Sequence, residues 1–212
     1  MLNEEAILKR EKHSTAVSVR KIAVIAVLSA MAGVLMSLEI PLPFLPPFYK
    51  FDFGDLPAML GGFALGPISA VAIEALKVFI KMLIKGSTTL GIGDLTNFLV
   101  CCAFVVPAAF IYRANKNRKM ALVGMTVGTI VMTVIGDFLN AYVMLPFYAM
   151  AFHWPMDKLI AMGTAVNSHI TNLNSFVLLA TTPLNLIKGI VVSVITFALY
   201  KRVSPILHGR AK

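Results

Sequence analysis

Long apolar runs, interrupted by short polar or proline-rich stretches, set the plan of this chain. The stretch from Ile22 to Leu38 carries no charge and is long enough to cross roughly 30 Å of hydrocarbon as a helix. Glu39 ends it, and the four prolines among residues 41 to 47 forbid a helical continuation. The segment up to Lys50 is apolar and stiff, which predicts a loop that folds back on the protein as a lid or wall.

Gly54-Asp55-Leu56-Pro57 reads as a helix start, with Asp55 as N-cap and Pro57 in the first turn. Gly66-Pro67 stops this second helix after roughly 15 Å, too short for a crossing of its own. A third helix, Pro67 to about Ile84, carries Glu74, Lys77, Lys81 and Lys85 on one stripe, which cannot face lipid at mid-depth. A Ser-Thr-Gly loop leads to Asp94 as the next N-cap and to a fourth helix ending near Tyr112. The fifth, from about Met120 to Met150, exceeds a perpendicular crossing and must tilt, protrude or kink near Pro146. Residues 151 to 182 read as an external loop holding a short amphipathic helix near Asp157 to Val166, and the sixth helix runs from about Leu184 to Tyr200.

Composition agrees with that pattern: 58% of residues are hydrophobic, 14% are charged, and the mean hydropathy is +0.82. The fold class is therefore an all-α integral membrane protein with six transmembrane helices, comprising residues 20–203 between an N-terminal tail, 1–19, and a basic C-terminal tail, 204–212. The net charge of +9 is not a nucleic-acid signature, because the basic residues flank the spans. They cluster at Lys9, Arg10, Lys12, Arg20 and Lys21, at Arg113, Lys116, Arg118 and Lys119, and at Lys201, Arg202, Arg210 and Lys212. The positive-inside rule puts all three clusters, and so both termini, in the cytoplasm of a cell with this protein in its plasma membrane. The polar first 19 residues are unlike a cleavable signal peptide. Cys101 and Cys102, adjacent in an apolar run, behave as small hydrophobes.

Polar groups within spans are costly and mark cavities, pairs or ligands. Asn185 and Lys188 share one helix face at the mouth of the last apolar run, and Asn140 and Asp137 lie in the fifth helix. Asp137 reads as a counter-ion to Lys77 or Lys188. Ala26 and Ala30 form a small-x-x-x-small face on the first helix, extended on a neighbouring strip by Ser29, Gly33 and Ser37, and suited to close approach of another helix. Gly-Asp recurs at 54, 93 and 136 and is read as a common cap rather than a repeat. No phosphate loop, zinc-protease motif or nucleophile elbow is present, and His13, His153, His169 and His208 lack ligand spacing, so neither an enzyme nor a metal site is expected.

The chain resembles the riboflavin-specific substrate-binding (S) component of energy-coupling factor vitamin transporters. The resemblance rests on Pro43-Phe44-Leu45-Pro46-Pro47-Phe48, Asp55-Leu56-Pro57-Ala58, Gly62-Phe63-Ala64-Leu65-Gly66-Pro67, Glu74-x-x-Lys77, Leu139-Asn140 before Leu145-Pro146, and Pro183-Leu184-Asn185-Leu186-Ile187-Lys188-Gly189. It implies a six-helix subunit that captures riboflavin from outside as cargo, with no cofactor of its own. It also implies a membrane coupling subunit and two cytoplasmic ATPases as partners, with Ala26 and Ala30 touching the coupling subunit. Asn140, Asn185 and Lys188 then match positions that hold the flavin ring, while Phe44, Leu45, Phe48 and Tyr49 would wall it. The pyrimidine edge of the ring has one N–H between two carbonyls, which asparagine amides match in both senses. An S component for another vitamin, an ion-coupled carrier and a membrane-embedded enzyme are the competing readings.

Overall fold

The computed structural model describes the backbone of residues 2–207 except 47 and 88, and side chains within 18–200. The basic residues expected at 9, 10, 12, 201, 202, 210 and 212, together with His13 and His208, lie outside the described side chains. The chain is helical almost throughout: α1 (Leu2–Ser37), α2 (Asp55–Leu65), α3 (Pro67–Lys85), α4 (Ile92–Ala114), α5 (Arg118–Leu139), α6 (Leu145–Ala151), α7 (Met156–Thr164), α8 (Leu173–Phe176) and α9 (Thr182–Leu207). Four stretches are long and apolar enough to cross a membrane, Ser18–Ser37, Ile92–Ala114, Arg118–Ala151 and Leu173–Tyr200, among the described residues.

The short second helix persists because it is surrounded by protein. It packs against α1, α3, α4 and α9 and buries Ala58, Met59, Leu60 and Phe63. The stripe on α3 also turns inward, with Glu74, Lys77 and Lys81 buried and Lys85 exposed at its end. Against α4, helix α5 places Gly124 and Gly128, where a Cβ would run into the backbone carbonyls of Ala108 and Phe104. This Gly-x-x-x-Gly spacing lets two backbones touch, and it went unremarked in the sequence.

Two helices contain a widened π turn, Asn140–Met144 between α5 and α6 and Val177–Thr181 between α8 and α9. A proline follows each by two residues, Pro146 and Pro183. A proline ring collides with the carbonyl four residues back and leaves it without an N–H donor; widening the preceding turn relieves both. The kink expected near Pro146 is thus a π turn. The last apolar helix begins at Leu173 rather than Leu184, because the π turn carries helical geometry through Pro183, and the external loop is shorter for it.

The proline-rich loop does fold back. Its base is a small antiparallel hairpin, β1 (Ile40–Pro41) with β2 (Lys50–Phe51), pairing Ile40 with Phe51 and Pro41 with Lys50. Glu39 anchors it to Lys50 at 2.6 Å and to Lys85 at 3.6 Å. Burial opposes the Glu39 charge, but the Lys50 bond and the fields of Lys81 and Lys85 outweigh it and hold the carboxyl below its ordinary value of 4.5. The anchor is therefore present above that pH and is lost as acid protonates the carboxylate.

Asp55 and Asp94 are not N-caps. Gly54 holds the cap position, Asp55 is the first helical residue, and its carboxylate is drawn inward to lysines. Asp94 lies in the first turn of α4, where it binds Lys81 at 2.8 Å and the Ser87 hydroxyl, while Ser87 and Thr89 oxygens accept from Gly91 and Gly93.

Candidate functional site

Beneath the folded loop lies a second apolar cluster, built from Leu45, Tyr49, Leu145, Tyr148, Leu159 and Phe176. Phe48 joins it, its ring 5.7 Å from Tyr148 and 6.2 Å from Phe176. Leu45 and Tyr49 are buried as expected of wall residues; Phe44 is not, standing half exposed at the tip.

The Tyr49 hydroxyl reaches into the bundle between the two π turns. It donates to Asn140 Oδ1 at 2.8 Å and meets Thr181 Oγ1 at 2.8 Å. Asn140 Nδ2 in turn donates to the Gly136 carbonyl at 2.8 Å. Because a carbonyl only accepts, this bond fixes the amide's orientation and places Oδ1 toward Tyr49. Tyr49→Phe would strip a buried carbonyl oxygen of its donor, and a loss of about 1–3 kcal/mol is expected in thermal unfolding in detergent. An unchanged melting temperature would mean that the hydroxyl does not tie the loop down.

Asn185 is buried against Gly136 on the neighbouring helix, and its Nδ2 has no partner among the described residues. A buried amide donor left unpaired is costly, and among the described residues the Ser193 and Thr196 hydroxyls further along α9 share that condition.

Lys188, one turn further along α9, is buried and already surrounded. Its ammonium lies 3.0 Å from Asp52 and 3.0 Å from Asp55, with Cys101 Sγ at 3.6 Å. Asp55 also takes Lys77 at 2.6 Å, and Lys77 pairs with Glu74 at 2.5 Å. Two ammoniums thus face three carboxylates across the loop-1 base, α2, α3 and α9. Asp137 takes no part. It accepts from the Thr182 hydroxyl at 2.7 Å, which corrects its reading as counter-ion to Lys77 or Lys188; both lysines have nearer carboxylates. Asp55, Glu74 and Cys101 bring donor atoms within 4.8 Å of one another, but Lys77 already supplies the cation between the carboxylates.

Asp52, Gly136 and Thr181 were missed in the sequence. Asp52 left a signal as a lone carboxylate between Phe51 and Phe53, and Gly136 only as part of the recurring Gly-Asp pair. An open apolar groove of about 260 Å³ between α3 and α4, lined by Val78, Met82, Leu95 and Phe98, includes none of the expected ligand residues.

On α1, Ser29 and Ser37 are buried and Gly33 sits under the Ile80 side chain, whereas Ala26 and Ala30 point away and are exposed, among Val27, Met31 and Val34. The small residues thus divide into an inward strip that packs on α3 and an outward one left open.

A bundle of apolar helices with a loop folded over a buried polar floor is suited to holding a small molecule within a membrane. The chain matches the family described as ECF transporter, substrate-specific component, over residues 20–200, and belongs to that family. It is a component of a transporter and not an enzyme. It is 34% identical over 188 residues to the riboflavin transporter FmnP of Bacillus subtilis, covering 88% of this chain and 93% of that one. It is 32% identical to the riboflavin transporter RibU of Staphylococcus aureus, covering 89% and 92%. A solved chain described as the S component of a bacterial ECF transporter superposes with a TM-score of 0.69 at 30% identity, over 90% of this chain and 98% of that one.

Proposed function

We propose that this protein is the capture subunit of an ATP-driven riboflavin uptake transporter, a six-span protein of the bacterial plasma membrane with both termini in the cytoplasm. It takes riboflavin at the outer face and passes it on through a membrane coupling subunit served by two cytoplasmic ATPases. The relatives named as riboflavin transporters support the cargo, and the basic turn at Arg113 to Lys119 supports the orientation. That turn lies about 33 Å along α5 from Asn140, so the proposed site is at the external end.

The observation that carries the reading is the unpaired Asn185 amide beside an Asn140 amide of fixed orientation. One amide offers an N–H and the other an oxygen with a second lone pair, matching the carbonyl and imide N–H of the flavin pyrimidine edge. Lys188 supplies the third contact, exchanging the weak thiol acceptor for a ring carbonyl while its carboxylate pairs keep it charged. Leu45, Phe48 and Tyr49 form the apolar wall, and Phe44 closes over it from the loop tip.

The test is a titration of riboflavin fluorescence with the protein purified in detergent. Saturable quenching is expected, and Asn185→Leu should weaken it by about tenfold or more while the protein stays folded, since the substitution removes the unpaired donor without touching an existing bond. Riboflavin fluorescence unchanged by the intact protein would end this reading.

A further inference from the structure

Gly136 and Asp137 repeat the Gly-Asp pair found at the start of α2 and in the first turn of α4, but they lie near the end of α5. Gly136 lies at the junction of the two amides. Its carbonyl oxygen accepts from Asn140 Nδ2 at 2.8 Å, which sets that amide's orientation. On the other side, a Cβ at Gly136 would run into Asn185 Nδ2 and come within 3.2 Å of its Cγ, with Val100 Cγ1 at 3.5 Å. The glycine's φ is not what selects it, since it is an ordinary helical residue. What selects it is space: the Asn185 amide occupies the volume that any side chain here would take.

Resting on the riboflavin reading, we propose that Gly136 is the specificity-determining position of the site, aligning both amides on the flavin imide edge. One residue thereby controls the acceptor through its backbone oxygen and the donor through its missing side chain. Gly136 does not itself touch the ring; it acts through Asn140 and Asn185 and is a positioning residue.

Its role separates from mere packing by ligand discrimination and by coupling to Asn185. The experiment titrates riboflavin and its N3-methyl derivative, which lacks the imide N–H, into the intact protein and into Gly136→Ala, Asn185→Ala and the double variant. Gly136→Ala should weaken riboflavin by about tenfold to a hundredfold and the N3-methyl derivative far less, so that the ratio between the two flavins shrinks. In the Asn185→Ala background, where the obstructing amide is gone, adding Gly136→Ala should change riboflavin affinity by less than about threefold. That comparison holds even if Gly136→Ala alone folds poorly, because the double variant relieves the collision. Equal losses for both flavins, or the same cost with and without the Asn185 amide, would overturn the proposal. Failure of the unaltered protein to quench riboflavin would instead strike the cargo assignment beneath it.

Discussion

Lys77→Met is expected to destabilise the protein by about 3–5 kcal/mol, enough to prevent recovery of folded material from the membrane, while Glu74→Gln, one turn away, is expected to be neutral or stabilising. The signs differ because of the charge count around Lys77 and Lys188. Asp52, Asp55 and Glu74 face two ammoniums, and Lys77, with no exposed surface, binds two of the three carboxylates. Removing it leaves three carboxylates to Lys188 alone, without water to solvate them. Glu74, by contrast, is the surplus negative charge: neither of its oxygens makes a hydrogen bond among the described residues, and Oε2 meets Lys77 only as an ion pair. Neutralising it removes a desolvated charge and keeps a group that can still accept from Lys77. The yield of folded protein extracted in detergent, and the thermal unfolding of what is recovered, decide the matter. A Glu74→Gln variant as damaged as Lys77→Met would mean that all five charges are needed together.

The second large effect concerns transport without binding. Ala26→Trp is expected to leave riboflavin affinity within about twofold, because the residue is exposed and its face points away from the α3 contact. Uptake by the assembled transporter should nevertheless fall to background, since a bulky ring on a small-residue face blocks the close helix approach proposed for the coupling subunit. Parallel titration of the purified variant and radiolabelled uptake in cells expressing all subunits would show it. Normal uptake would remove Ala26 and Ala30 from the interface, and lost binding would place them in the site's support.

What could be read from the sequence depended on the range of the interactions involved. Helix order, the inward stripe on α3 and the Asn185–Lys188 face follow from local periodicity and from the cost of polar groups in hydrocarbon; helices stand where the six were expected, and four stretches are long and apolar enough to cross a membrane among the described residues. Pairings across the chain do not follow from periodicity. Lys188 takes Asp52 and not Asp137 because the base of the proline-rich loop passes over α9, a placement no local pattern encodes. Phe44 stands half exposed at the loop tip while Leu45 and Tyr49 are buried, because the hairpin fixes which loop residues turn inward. Asp55 and Asp94 looked like caps from position alone, but buried lysines outcompeted the orphan amides for their carboxylates.

The two widened turns bear on how this site tolerates insertion and deletion. A π turn takes one more residue than the α-helical path it replaces, so deleting one residue from Asn140–Met144 would restore regular winding and leave all that follows in nearly the same phase. Deleting one residue from the regular part of α5 would instead rotate all that follows by about 100° and shorten the helix by only about 1.5 Å. In that case Tyr148 would swing out of register with Phe48, although every side chain of the wall remained in the chain. The site is thus sensitive to helical phase more than to helix length, and among relatives a single-residue gap at either turn would keep the ligand face, whereas the same gap elsewhere in these helices would signal a changed one.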